Sequence, residues 1–328
     1  GAGSVLTTTT GDVFLQSNFA GNALNLSLAA GAQINAAAAT GDIFFNPSAA
    51  GAITVTGGAA AGLLNAGNTV SLRGGAVDVN VNQINGRVVS NGATITTSTV
   101  TTAAGDLSLG GYTSSGATSF TANGAGADII VNGALSNGVG GLTLQAGAGA
   151  DSDVRINSAV TSSGLLNINS GTGAGSDITI AASQLAQGAT VNANSASLNL
   201  GTNAGLRANT GALNIQSNSG GTLNVTLASG AFLRSTSSNV NFNSAGSPGA
   251  ITMTGGLGSV QAGGATPQVV FNGGSSAVDV NVSSIVGSAG GTGSTFSLVT
   301  QSGDLRVGPV TSTGTTLLQA AGNGADLI

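Results

Sequence analysis

The chain has 328 residues, 56 of them glycine; aromatic residues make up 3%, charged residues 5%, and the formal net charge is −5. It contains no Lys, Glu, His, Cys or Trp, so every acid is Asp and every base is Arg. That inventory excludes the Gly-Lys-Ser/Thr phosphate loop, Schiff-base chemistry, Ser-His-Asp and Cys-His catalysis, and thiolate or imidazole zinc sites.

Soluble domains usually carry about 25% charged residues, yet no apolar run here approaches the roughly 18 residues a spanning helix needs. A hydrophobic content of 41% is also too high for a disordered polymer. The hydrophobic residues fall in short alternating bursts. In chain order these are GLTLQAG (Gly141 to Gly147), DVRINSAV (Asp153 to Val160), DITIAAS (Asp177 to Ser183), TLNVTLASG (Thr222 to Gly230) and DLRVGPV (Asp304 to Val310). Period two marks half-buried strands, while the Gly, Asn and β-branched residues between them disfavour helix. An all-β chain with many short strands and Gly/Asn/Ser/Asp turns is expected.

Repeats select the architecture. GDLSLGGYTSSGATSFTANGAGADII (Gly105 to Ile130) aligns without gaps on GDLRVGPVTSTGTTLLQAAGNGADLI (Gly303 to Ile328), with 14 of 26 positions identical and an offset of 198. GAITVTGG at Gly51 returns as GAITMTGG at Gly249, offset 198, and AVDVNV at Ala76 returns at Ala277, offset 201. Within this long repeat lies a shorter one: Asp128, Asp153 and Asp177 are 25 and 24 apart, and TSSG at Thr113 returns at Thr161, an interval of two such steps. Short strands repeating every twenty-odd residues describe a β-solenoid, whose coils bury their inward residues only by stacking on one another. At about 24 residues and about 4.8 Å per coil, the chain makes some thirteen or fourteen coils and a rod of about 65 Å. The expected hand is right, as for most parallel crossovers. One continuous solenoid segment over residues 1–328 is expected, excerpted from a longer repetitive chain.

The Gly-Asp or Ala-Asp step before an alternating strand, the abundance of Asn, Ser, Thr and Ala, the lack of Cys and the degenerate coils resemble the filamentous haemagglutinin type of secreted bacterial exoprotein. The resemblance covers the whole chain in style and periodicity; the family's N-terminal secretion domain and a signal peptide are not found in it. It implies export by two-partner secretion, a long right-handed parallel β-helix, a cell-surface or extracellular address, and a part in adhesion, biofilm or cell contact. A chain without Cys also suits export, since no disulfide can form on the way.

Carboxylates carry the remaining chemical options. Asp151 and Asp153, in DSDVRI, are placed to share a strand face as residues i and i+2, the pairing a polysaccharide-acting β-helix enzyme would need. No third acid lies nearby in sequence, and the non-catalytic reading is preferred. NGAGADIIV (Asn123 to Val131) and AGNGADLI (Ala321 to Ile328) approach the calcium-binding nonapeptide of toxin β-rolls. Asp128, Asp153, Asp177 and Asp326 are therefore the calcium candidates, although once-per-coil spacing departs from the tandem nonapeptides of those rolls. The preferred role of these aspartates is a turn, with the carboxylate accepting backbone N–H groups at a corner, and no cofactor is expected. TITTSTVTT (Thr94 to Thr102) and the pairs Thr54/Thr56 and Thr252/Thr254 suggest hydroxyl arrays like those of ice-binding solenoids, but no coil-spaced Thr-x-Thr series is visible in the sequence. The sequons at Asn25, Asn224 and Asn281 are chance matches in so Asn-rich a chain. Six scattered arginines (Arg73, Arg87, Arg155, Arg207, Arg234 and Arg306) form no basic stripe for nucleic acid. Arg155 and Arg306, each between inward-reading residues, are expected to point outward. Most of the nine Phe are expected in the core. The expected partners are other copies, through end-to-end or side-by-side association into fibres, and surface glycans or proteins of host or neighbouring cells. The preferred function is a non-catalytic shaft of a surface adhesin or extracellular filament, ahead of a calcium-stabilised secreted roll and a polysaccharide-acting enzyme.

Overall fold

A computed structural model describes the chain except residues 18–21, 47–50, 58–61, 91–94, 174, 219 and 244–248. Thr94, the first residue of the Thr-rich run, and Gly58, the last of the first GAITVTGG, lie outside the described residues. No helix occurs among the described residues, and their short strands form three sheets of 16, 13 and 8 strands. Each sheet is built by parallel pairing between successive coils, as in Ile129–Val131 on Val154–Ile156 on Asp177–Ile180. The result is a β-solenoid of about 12 turns at about 24 residues each. The thirteen or fourteen coils expected from a fixed period are too many, because coil length varies and the first coils are long. Leu24 stacks on Ile53, a far longer step than the one from Ser98 to Thr118.

A central coil visits the three sheets in turn. Ile129–Val131 lies in the 16-stranded sheet, Leu135–Asn137 in the 8-stranded sheet and Leu142–Gln145 in the 13-stranded sheet. Alternation decides what faces inward. Along Leu223–Leu227 the residues read buried, exposed, buried, exposed, buried. In register these inward positions become continuous columns. Leu107, Ile129, Val154, Ile178, Leu198, Val225, Met253, Val280 and Leu298 stack over nine coils, and none is more than 1% exposed. Each such aliphatic side chain contributes about 1.5–3 kcal/mol through burial. In the 13-stranded sheet the column Phe120, Leu144, Ile168, Ala193, Ile215, Phe242 and Phe271 carries the bulkier residues. There the rings of Phe242 and Phe271 stack at 4.8 Å, the rise of one coil. Of the eight Phe among the described residues five are fully buried, whereas Phe14 is 62% exposed and stacked on Phe44.

DVRINSAV, which reads as one strand in sequence, holds two. Val154–Ile156 and Val160–Ser162 belong to different sheets, and residues 157–159 turn the corner between them. Near the N-terminus the 16-stranded sheet is broader: the ribbons through Gln33–Ala36 and Ile43–Phe45 both pair with the ten-residue strand Leu63–Leu72. Beyond it, the 8-stranded sheet begins at Tyr112–Ser114.

The long repeat keeps its local conformation but changes face. Gly105 and Gly303 both have φ +71°, and Gly126 and Gly324 have +71° and +72°. Ile53–Thr56 and Ala76–Val81 nevertheless lie in the 13-stranded sheet, while their counterparts Ile251–Thr254 and Val278–Val282 lie in the 16-stranded sheet. Thr118–Ala122 and Thr316–Ala320 are related in the same way. The long-repeat offset is therefore not a whole number of turns, and the second copy sits one face further round the rod.

Candidate functional site: the aspartate corner and the outer faces

Asp106, Asp128, Asp153 and Asp177 gather at one corner, where four successive coils enter the 16-stranded sheet. A backbone N–H at a corner has no strand ladder to satisfy it, and a short acceptor side chain from the preceding coil can. Asp128 N–H donates to Asp106 Oδ1 (3.0 Å), Asp153 N–H to Asp128 Oδ1 (2.8 Å) and Asp177 N–H to Asp153 Oδ1 (2.9 Å). The same step recurs far along the rod, from Asp42 N–H to Asp12 Oδ1 (2.9 Å) and from Asp326 N–H to Asp304 Oδ1 (3.0 Å). The sequence reading of a local turn is thus corrected in one respect: each carboxylate caps the next coil, 22 to 30 residues on, instead of its own turn.

Like charges stacked at strand spacing repel, and Arg155 answers this. Its Nη2 lies 2.8 Å from Asp153 Oδ2 and 3.2 Å from Asp128 Oδ2, bridging two coils. Arg155 itself is exposed between buried Val154 and Ile156, as expected. Burial is the main influence that pushes the Asp128 carboxyl above the usual range, helped by the Asp153 and Asp106 charges and opposed by the Asp153 N–H and Arg155. Asp177 is likewise raised, chiefly by burial.

Of the calcium candidates, Asp128, Asp153 and Asp177 are thus brought together, each with an oxygen committed to a hydrogen bond, while exposed Asp326 stands apart in the last coil. Among the described residues no group of three or more acids is arranged to hold a metal. The Asp151/Asp153 pairing on one strand face is overturned. The strand begins only at Val154, and Asp151 sits in the preceding turn with φ +57°, which re-aims its side chain.

The outer face of the 13-stranded sheet carries two polar columns that sequence reading missed. Thr54/Thr56, Asp78/Asn80, Thr99/Thr101, Ser119/Thr121 and Thr143/Gln145 follow one another in register. Further on, Asn167, Asn192, Asn214 and Asn241 form an amide ladder, each Nδ2 donating to the preceding Oδ1 at 2.9 Å. As the sequence reading has it, no Thr-x-Thr series runs through successive coils: Asp78/Asn80 separates Thr54/Thr56 from Thr99/Thr101, and mixed pairs follow. The mixed polar columns themselves were hidden because the coils differ in length: the step from Thr54 to Asp78 is longer than the step from Thr99 to Ser119, so stacked residues are not evenly spaced in sequence.

No protein-family model, curated protein or solved structure matches the chain. Among the described residues no helix is long and apolar enough to cross a membrane.

Proposed function

We propose that this solenoid is the shaft of a bacterial surface adhesin or extracellular filament, a non-catalytic element that gives length and stiffness. The observation that carries this reading is the uninterrupted aliphatic column of nine coils, sealed at the corner by aspartates that bond each coil to the next. Backbone hydrogen bonds run along the rod axis, so a pull along the axis loads all those between two coils together. The outer faces are mostly uncharged amides and hydroxyls, and the six arginines are scattered. Such a surface gives little to nucleic acid and suits neutral partners such as surface glycans. Antibody labelling of intact producing cells tests the assignment. Labelling without permeabilisation is expected; signal only after lysis would refute a surface shaft.

A further inference from the structure

The 16-stranded sheet has an irregularity where its two N-terminal ribbons fuse. Asn65 pairs with Asn85 and Thr69 with Arg87, so residues 66–68 of one strand stand opposite Gly86 alone. Bulges of this kind re-aim side chains and are common beside binding sites. Gly86 has φ +97°, and a Cβ there would come within 2.8 Å of Ala66 O, so the bulge requires glycine. The displaced segment opens a hollow of about 470 Å³ lined by Asn68, Gln83, Asn85, Arg87, Asp106 and Ser108, with Ile130 as an apolar patch.

Its polar groups are held by one another. Arg87 Nη2 donates to Asn68 Oδ1 (3.2 Å), Gln83 Nε2 to Asn85 Oδ1 (3.0 Å) and Asn85 Nδ2 to Asn65 Oδ1 (3.1 Å). Asp106 Oδ1 is taken by the Asp128 N–H, which leaves Oδ2 as an acceptor. Arg87 and Asp106 border the same hollow and form no ion pair with each other. The site therefore offers a guanidinium donor, a carboxylate acceptor and amides that do both, at zero net charge.

We propose that this hollow binds one ring of a neutral sugar. Each ring hydroxyl is both donor and acceptor, so neighbouring hydroxyls can bridge Arg87 and Asp106 while the amides take the rest. The oriented side chains lower the ordering cost of binding. With no aromatic platform in the hollow, affinity is about millimolar, and repetition along a surface would raise it by avidity. The site does not rest on the shaft proposal: a rod without it remains a rod, and cell labelling tests that separately.

The test is a saturation-transfer NMR titration of the 328-residue chain with D-glucose, D-galactose and, as a zwitterionic competitor class, glycine. Saturable sugar binding is expected, weakened about tenfold or more by Arg87→Ala and by Asn68→Ala. It should be unchanged by Arg234→Ala on the 8-stranded sheet, with thermal melts confirming that all three variants fold. No saturable sugar binding would overturn the proposal, as would binding that survives both site variants. Saturable binding of glycine without either sugar would overturn it in favour of an amino-acid site.

Discussion

Arg155 and the carboxylates of Asp128 and Asp153 show how single side chains fix the stacking. Removing the guanidinium leaves Asp128, whose side chain is 10% exposed, beside two unbalanced carboxylates. Because the Arg155 side chain is 48% exposed and screened by solvent, Arg155→Ala should cost only about 1 kcal/mol. Urea unfolding would show this as a lower midpoint that narrows toward wild type in high salt. The raised carboxyls set a pH dependence with a definite sign. Asp128 and Asp177 hold their protons more tightly folded than unfolded, so the folded state binds more protons above the ordinary Asp range. Their contribution to stability is therefore greatest at acid pH and is lost as pH rises through the raised values. The melting temperature should rise as the pH is lowered from neutrality into the carboxylate range. Replacing both residues by Asn should flatten the rise; an unchanged slope would contradict the assignment.

At the scale of strands and corners, close approach of successive coils makes some glycines obligatory and leaves others free. A Cβ at Gly147 would collide with Gly124 O in the coil before, whereas one at Gly111 meets nothing within 4 Å. Gly147→Ala should cost about 3 kcal/mol, toward the upper end for overpacking, while Gly111→Ala should be close to neutral; equal melting temperatures would show that the coils are not packed as described. Elements of this size were unevenly legible in the sequence. Leu223–Leu227 could be read directly, since its alternation is complete and bounded by turns. The corner in DVRINSAV could not, because Asn157 and Ser158 continue a plausible polar pattern where the chain bends. The 25- and 24-residue aspartate spacing gave the coil length, since each aspartate caps the same corner. The mixed polar columns and the sugar hollow stayed hidden. The first depend on coils of unequal length, and the second on a bulge that brings Asn68 to Arg87 from a coil 19 residues away.

Across the whole molecule, the shift of the long repeat by one face presents Thr54 and Thr56 on one side of the rod and Thr252 and Thr254 on another. A surface feature carried by the repeat would thus wind round the rod instead of lining one side. The outermost coils of this chain expose Val5, Leu6, Leu317, Leu327 and Ile328. Uncovered strand edges of this kind template further pairing, so the 328-residue chain should associate end to end. Sedimentation should show concentration-dependent growth that Val5→Arg with Leu317→Arg suppresses; a strict monomer at high concentration would contradict it.

Whether the stacked aspartates are structural caps within a self-sufficient β-solenoid is decided by a far-UV circular dichroism melt in EDTA and again in excess calcium. A β-type spectrum in both and coincident melts are expected, because backbone N–H groups and Arg155 already satisfy the carboxylates at the corner. A disordered spectrum in EDTA that becomes β-type on adding calcium would contradict this and make the aspartate corner a metal site.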